Sequence, residues 1–290
     1  MSPEILKKIQ EIKIRTRRVM NGALVGGHVT KQKGSGFEFE QLRAYSYGDD
    51  IRFVDWNSSA RTGKLLVRQY LDEKNRTIML CLDVSASTMF AALQDKTSDI
   101  MQQIIAVLAL VGQSEQDNIG VIFFSDVIEK IIPPSRGQKH TMHLLDTIFS
   151  YKPQQKKTNM NVLCRYLIES FTTEAAAIIV SDFITDDFET CFKQLVCKRE
   201  VILVRCLDEV VKKIPQVGYV WGQDPETQAT ILLHLSDKDA ADIQTAMNHR
   251  LQKQNEFFKK CKVDCLDISC DANFIVSLIL FFKHRIAVPL

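Results

Sequence analysis

The sequence predicts an α/β protein: a doubly wound, mostly parallel sheet with helices on both faces, preceded by an N-terminal appendage. Three observations carry this expectation. Short apolar runs rich in β-branched residues, at 77–82, 118–125, 175–182 and 200–206, alternate with stretches of helical periodicity. The runs are apolar throughout rather than at every second position, the pattern of strands buried on both faces. Two strand-like segments end in aspartate, Asp83 and Asp182, at the carboxyl ends where such sheets place their ligand crevice.

A chain of 290 residues with 46% hydrophobic content can bury one large core or two without a disulfide or metal staple. The net charge of +2 is unevenly placed, with 15 Lys+Arg against 9 Asp+Glu in residues 1–76 and 22 against 26 in residues 77–290. A mildly basic arm on a mildly acidic body lacks the clustered basic domain of a nucleic-acid binder, so nucleic acid is not an expected partner. Charged residues begin almost at once, and the most apolar stretch, residues 274–282, is too short to span a bilayer. The expected location is therefore cytoplasmic, with no transmembrane segment, and the eight cysteines are expected to be reduced. Cys261, Cys265 and Cys270 contain no Cys-x-x-Cys pair and fall on an alternating strand pattern, which argues against a zinc site.

In chain order, residues 3–19 predict a helix, because Ile5, Leu6, Ile9 and Ile12 recur at helical spacing among lysines and arginines. Such a helix either packs its stripe on the body or forms a peripheral membrane-surface or RNA-binding arm. Glycines between Gly22 and Gly36 mark a connector without the strand-before, helix-after context of a dinucleotide loop. Residues 37–75 are dense in carboxylates, arginines and aromatics. One reading makes Asp49, Asp50 and Asp55 a general acid/base group, although no histidine or cysteine nucleophile lies near them in sequence. The other makes them structural, with Arg52 and Arg61 paired to these aspartates and Phe53 and Trp56 anchoring the segment to the main domain, or docking a partner.

From residue 77 the expected elements are a strand at 77–82, a helix near 97–112, a strand at 118–125, and an antiparallel strand from Val127 stopping at Pro133-Pro134. Helices near 139–150 and 160–172, a strand at 175–182, a helix near 187–198 and a strand at 200–206 follow. A hairpin is expected around Asp224-Pro225-Glu226-Thr227, then a helix at 237–260, a strand at 263–269 and a helix near 273–284. The domain division is 1–76 and 77–290.

The stretch Asp83-Val84-Ser85-Ala86-Ser87 places a carboxylate and two hydroxyls at alternating positions where a strand ends. These hard oxygens suit Mg²⁺, Mn²⁺ or Ca²⁺ rather than zinc or copper. The plainer reading is that a serine caps the next helix and Asp83 accepts from loop amides. Asp182 on a neighbouring strand end and Thr158 in the loop Lys157-Thr158-Asn159 bring a second carboxylate and a third hydroxyl within reach of one ion, if the sheet is doubly wound.

At Asp83, Ser85, Ser87, Thr158 and Asp182 the sequence resembles the von Willebrand factor A domain, whose metal-ion-dependent adhesion site has the form Asp-x-Ser-x-Ser with a threonine and an aspartate on two further loops. Upstream, Gly48-Asp49-Asp50-Ile51-Arg52-Phe53-Val54-Asp55-Trp56 and Ala60-Arg61-Thr62-Gly63, together with Phe124-Ser125-Asp126, Pro133-Pro134 and Ser181-Asp182-Phe183, resemble the bacterial domain-of-unknown-function family numbered fifty-eight. Lys157 stands where that family usually has glycine. The resemblance implies a von Willebrand factor A-like fold and a metal site at those five residues holding Mg²⁺ or Mn²⁺ ahead of Ca²⁺. It also implies a non-enzymatic protein-binding adaptor whose partner carboxylate completes the metal shell, working with a MoxR-type AAA+ ATPase or a client protein in a chaperone-like or maturation role. The alternative function is a hydrolase or phosphotransferase using the same ion as Lewis acid, for which no paired metal cluster, nucleophile elbow or phosphate loop is visible.

Overall fold

The computed structural model describes residues 33–34, 38–71, 76–89, 97–154, 157–171, 175–185, 188–207, 218–223, 230–235, 237–269 and 274–287. The helix expected over 3–19 and Cys270 lie outside the described residues, as does the Asp224–Thr227 turn. The described chain forms two compact units, one of residues 76–282 and one of residues 33–71 grouped with 283–287.

The N-terminal unit is a small antiparallel sheet with strand order β1-β3-β2, built from β1 (Lys33–Gly34), β2 (Glu38–Ala44) and β3 (Leu66–Leu71). Between β2 and β3 lie a 3-10 turn (Ile51–Phe53) and the short helix α1 (Trp56–Thr62), capped by Asp55, whose carboxylate accepts from the Ser58 N–H. Gly63 ends α1 with φ 68°, a left-handed conformation that glycine adopts without strain. Asp49, Asp50 and Asp55 are structural: Asp49 pairs with Arg43 at 2.6 Å, Asp50 with Arg52 at 2.6 Å and Asp55 with Arg68 at 2.9 Å. Hydrogen bonds from Arg43 and from the Ser46 N–H hold the Asp49 carboxyl down to about 2. Two details differ from the expected pairing. Arg61 faces no carboxylate among the described residues and donates to the Asn57 carbonyl at 3.4 Å, because β2–β3 pairing supplies Arg43 and Arg68 instead. Trp56, expected as an anchor, is 62% exposed at the first position of α1.

The larger unit is the expected doubly wound α/β sheet, with strand order β11-β8-β7-β4-β5-β6. Its strands are β4 (Thr77–Asp83), β5 (Asn118–Phe124), β6 (Ile128–Ser135), β7 (Ala175–Ser181), β8 (Glu200–Leu207) and β11 (Asp264–Ser269). All neighbours pair in parallel except β5 and β6. The hairpin of β9 (Gly218–Gln223) and β10 (Thr230–Leu235) pairs antiparallel, as the sequence predicts. The helices are α2 (Thr97–Ser114), α3 (Gln138–Ser150), α4 (Met160–Ser170), α5 (Glu189–Lys198), α6 (Asp237–Lys260) and α7 (Phe274–Ala287).

Alternation along β4 divides its side chains between two cores. Leu80 and Leu82 pack with residues of α2, α3 and α7, whereas Met79 and Cys81 pack with residues of α4, α5 and α6. A strand covered on both faces fixes its register firmly, and that pins the position of Asp83 at its end. One boundary corrects the sequence reading: β6 does not stop at Pro133-Pro134 but continues to Ser135. β6 is an edge strand, and a register shift between Ile119 and Val121 sets both prolines opposite Gly120, where no ladder N–H is needed.

Candidate metal centre

The chain winds outward from β4 to β5 and β6 on one side, then returns to lay β7, β8 and β11 on the other. The switch point therefore lies between β4 and β7, and Asp83 and Asp182 stand at the carboxyl ends of these two strands. Asp83 is 1% exposed. Its Oδ1 accepts from the Ser85 N–H at 3.0 Å and its Oδ2 from the Ser181 hydroxyl at 2.6 Å. Ser85 is buried, and its Oγ lies 3.1 Å from the Ser87 Oγ. The Ser87 hydroxyl in turn hydrogen-bonds to Asp182, which is 7% exposed and accepts from the Ile184 N–H at 2.9 Å. Four of the five residues singled out in the sequence thus form one connected polar network across the switch point. Neither serine is an α-helix N-cap; Thr88 closes the turn by donating to the Ser85 carbonyl at 2.8 Å.

Electrostatics set this network apart from an ordinary loop. Burial, and then the negative charge of Asp182, push the Asp83 carboxyl up to about 7, against smaller lowering effects of the Ser181 and Ser85 hydrogen bonds. Burial also raises Asp182, opposed by the Ile184 N–H, the Ser87 hydroxyl and the Arg250 guanidinium. Two buried carboxylates repel one another unless a cation or a proton compensates them.

Thr158 is positioned by its backbone. Asn159 caps α4 through its side chain and donates its N–H to the Ser125 carbonyl at 3.0 Å, while the Thr185 hydroxyl donates to the Thr158 carbonyl at 3.4 Å. Thr158 is thereby tied to the ends of both β5 and the loop after β7. Its Oγ1 is buried and has no hydrogen-bond partner, and it bonds to none of the other four residues. An orphaned buried hydroxyl costs about 1–3 kcal/mol and calls for a partner. The residues fit a hard divalent cation: two buried carboxylates whose charge Arg250 offsets only in part, two adjacent serine hydroxyls and one unpartnered threonine oxygen. Among the described residues no three His, Cys, Asp or Glu converge; the donors of this set are two carboxylates and three hydroxyls, all hard oxygens.

The sequence reading did not single out two groups that shape this centre. Ser181 orients Asp83, and its signal was its place immediately before Asp182. Arg250 lies 68 positions downstream on α6, and nothing in its local sequence points to Asp182. A small cavity lined by Asp83, Thr88, Ser98, Gln102 and Tyr151 among others has a volume of about 40 Å³.

Residues 41–255 match the family described as "Protein of unknown function DUF58". The chain belongs to this family. It is similar to the uncharacterized protein Rv1480 of Mycobacterium tuberculosis, at 22% identity over 286 residues, 98% of this chain and 90% of that protein. A shorter similarity, 24% identity over 109 residues, links it to the uncharacterized protein YeaD of Bacillus subtilis, covering 36% of this chain and 24% of that protein. Among solved structures it is similar to the conserved hypothetical protein BatB of Bacteroides thetaiotaomicron, with TM-score 0.48 and 15% identity over 73% of this chain and 98% of that one. The SpRpn10 VWA domain gives TM-score 0.39 and 7% identity over 71% of this chain and 94% of that one. No helix among the described residues is long and apolar enough to cross a membrane.

Proposed function

We propose that this protein is a non-enzymatic, metal-dependent binding module whose site holds Mg²⁺ or Mn²⁺ through Asp83, Ser85, Ser87, Thr158 and Asp182. The observation that carries the reading is the buried Asp83–Asp182 pair, linked through Ser85 and Ser87; the buried Thr158 hydroxyl, which has no partner, supports it. When bound, the ion supplies an electrophilic position for a carboxylate on another protein. The chain's own residues do the rest. Ser181 and the Ser85 N–H hold the Asp83 carboxylate in place, the Ile184 N–H and Ser87 hold Asp182, and the backbone ties of Thr158 keep its loop against β5. By family resemblance the partner is a MoxR-type AAA+ ATPase or its client, met in the cytoplasm.

The test is capture of the purified MoxR-type ATPase on immobilised protein, run with Mg²⁺, with EDTA and with the Asp83→Ala variant. Capture only with Mg²⁺ and intact Asp83 is the expected result. Equal capture in all three would move the docking surface away from the metal site and overturn the reading.

A further inference from the structure

The loop that presents Asp182 adopts a conformation its own residues disfavour. Phe183 has φ 54°, in the left-handed region that a bulky side chain rarely enters. Two of the hydrogen bonds around it are local, from the Phe183 N–H to Ser181 Oγ at 2.9 Å and from the Ile184 N–H to Asp182 Oδ1 at 2.9 Å. The others come from α6. Gln254 Nε2 donates to the Phe183 carbonyl at 2.8 Å, and Arg250 Nη2 donates to the Thr185 carbonyl at 3.1 Å. Phe258 packs edge-on against the Phe183 ring, with centroids 5.7 Å apart. Arg250, Gln254 and Phe258 are spaced four residues apart, so a single stripe of α6 grips consecutive points of the Asp182 loop.

Gln254 is itself oriented. Its Oε1 accepts from Arg205 Nη1 at 3.1 Å, which leaves its amide nitrogen, a donor, facing the Phe183 carbonyl. Arg205 is 1% exposed on β8 and is fixed by Asp267 at 2.8 Å and by Asn255 at 2.6 Å. The chain of contacts therefore runs from a rigid central strand through Arg205 and Gln254 to the residue next to Asp182.

We propose that Gln254, clamped by Arg205, is a positioning residue for Asp182, so that the seating of α6 sets how tightly the site holds its ion. The proposal rests on the metal reading above and adds to it the element that governs the affinity. A contact that shifts α6 reaches Asp182 through this pair.

The discriminating variant is Gln254→Glu. A glutamate keeps oxygen acceptors for Arg205 but sets an acceptor against the Phe183 carbonyl, where a donor is required. Asn255→Ala is the control, because Asn255 stands on the same helix and does not touch the loop, and its loss leaves Arg205 held by two bonds to Asp267. Mn²⁺ affinity is read by electron paramagnetic resonance, urea midpoint by fluorescence, and amide exchange at Phe183, Ile184 and Thr185 by NMR. Gln254→Glu is expected to weaken Mn²⁺ binding at least about tenfold and to speed exchange at those three amides, with Asn255→Ala within about twofold of wild type in both. Wild-type Mn²⁺ affinity in a folded Gln254→Glu protein, or affinity losses that track the urea midpoints of both variants, would overturn the positioning role. Absence of Mn²⁺ binding by the wild type would instead remove the metal reading, and the exchange rates would still decide whether Gln254 holds the loop.

Discussion

Replacing Asp83 by asparagine removes a charge that the metal-free protein buries at a cost. The side chain is isosteric, keeps an acceptor for the Ser85 N–H and places an amide next to the Ser181 hydroxyl, so the packing is little changed. In the fold the Asp83 carboxyl stands at about 7 against an ordinary value of 3.8. Between those values the folded protein holds a proton that the unfolded chain has released. The contribution to stability is therefore full below the ordinary value and is lost as the pH rises through the folded one. The difference amounts to on the order of 4 kcal/mol above neutrality, and Asp182, also raised by burial, acts in the same direction. Urea denaturation in EDTA at about pH 5 and about pH 8 spans the upper part of this window, about 3 kcal/mol of it. The wild type is expected to lose stability between the two conditions and Asp83→Asn to lose much less, leaving the variant more stable by about 2–4 kcal/mol at the higher pH. Equal losses in the two proteins, or a variant less stable at both values, would refute the argument that Asp83 is a buried charge short of a counter-ion.

Three further expectations follow from packing and hydrogen bonding. Ser181→Ala removes both the donor to Asp83 Oδ2 and the acceptor for the Phe183 N–H, and should cost about 1–3 kcal/mol by chemical denaturation while weakening Mg²⁺ affinity about tenfold by calorimetry. Arg205→Met leaves the part-buried side-chain acceptors of Gln254 and Asn255 without their donor, and its urea midpoint should report a loss of roughly 3 kcal/mol, whereas Arg52→Met at an exposed ion pair should change stability by less than about 1 kcal/mol. Gly120→Ala should lower the melting temperature through a loss of about 1–3 kcal/mol, because a Cβ there would lie 2.9 Å from the Ile132 carbonyl on the neighbouring strand.

The central sheet is legible in the sequence because burial on both faces leaves runs such as Leu80-Cys81-Leu82 and Ile178-Ile179-Val180 with no polar interruption, and because Asp83 and Asp182 each mark a strand's carboxyl end. Four candidate residues are legible to the same extent, since Asp83, Ser85, Ser87 and Asp182 stand at or just after those strand ends. The N-terminal unit is not. Its strands β2 and β3 carry polar residues at irregular positions, and their pairing includes a register shift between Phe39 and Gln41 that no local pattern announces. The partners of Asp49 and Asp55 follow from that pairing, so Arg43 and Arg68 could not be chosen over Arg52 and Arg61 from spacing alone. Pro133 and Pro134 read as a stop, but tolerance of proline depends on lying at the sheet edge, which is a tertiary fact. The grip of Arg250, Gln254 and Phe258 on the Asp182 loop is likewise invisible locally, because on α6 these residues look like any helical stripe.

The measurement that tests the account most directly is calorimetric titration of Mg²⁺ and Mn²⁺ into metal-free protein above neutral pH, for the wild type and for the Asp83→Asn, Asp182→Asn and Thr158→Val variants. The account predicts one site in the wild type, no measurable site in either asparagine variant and clearly weaker binding in Thr158→Val, whose buried hydroxyl has no other partner. No binding by the wild type at millimolar metal, or binding that all three variants retain unchanged, would contradict it.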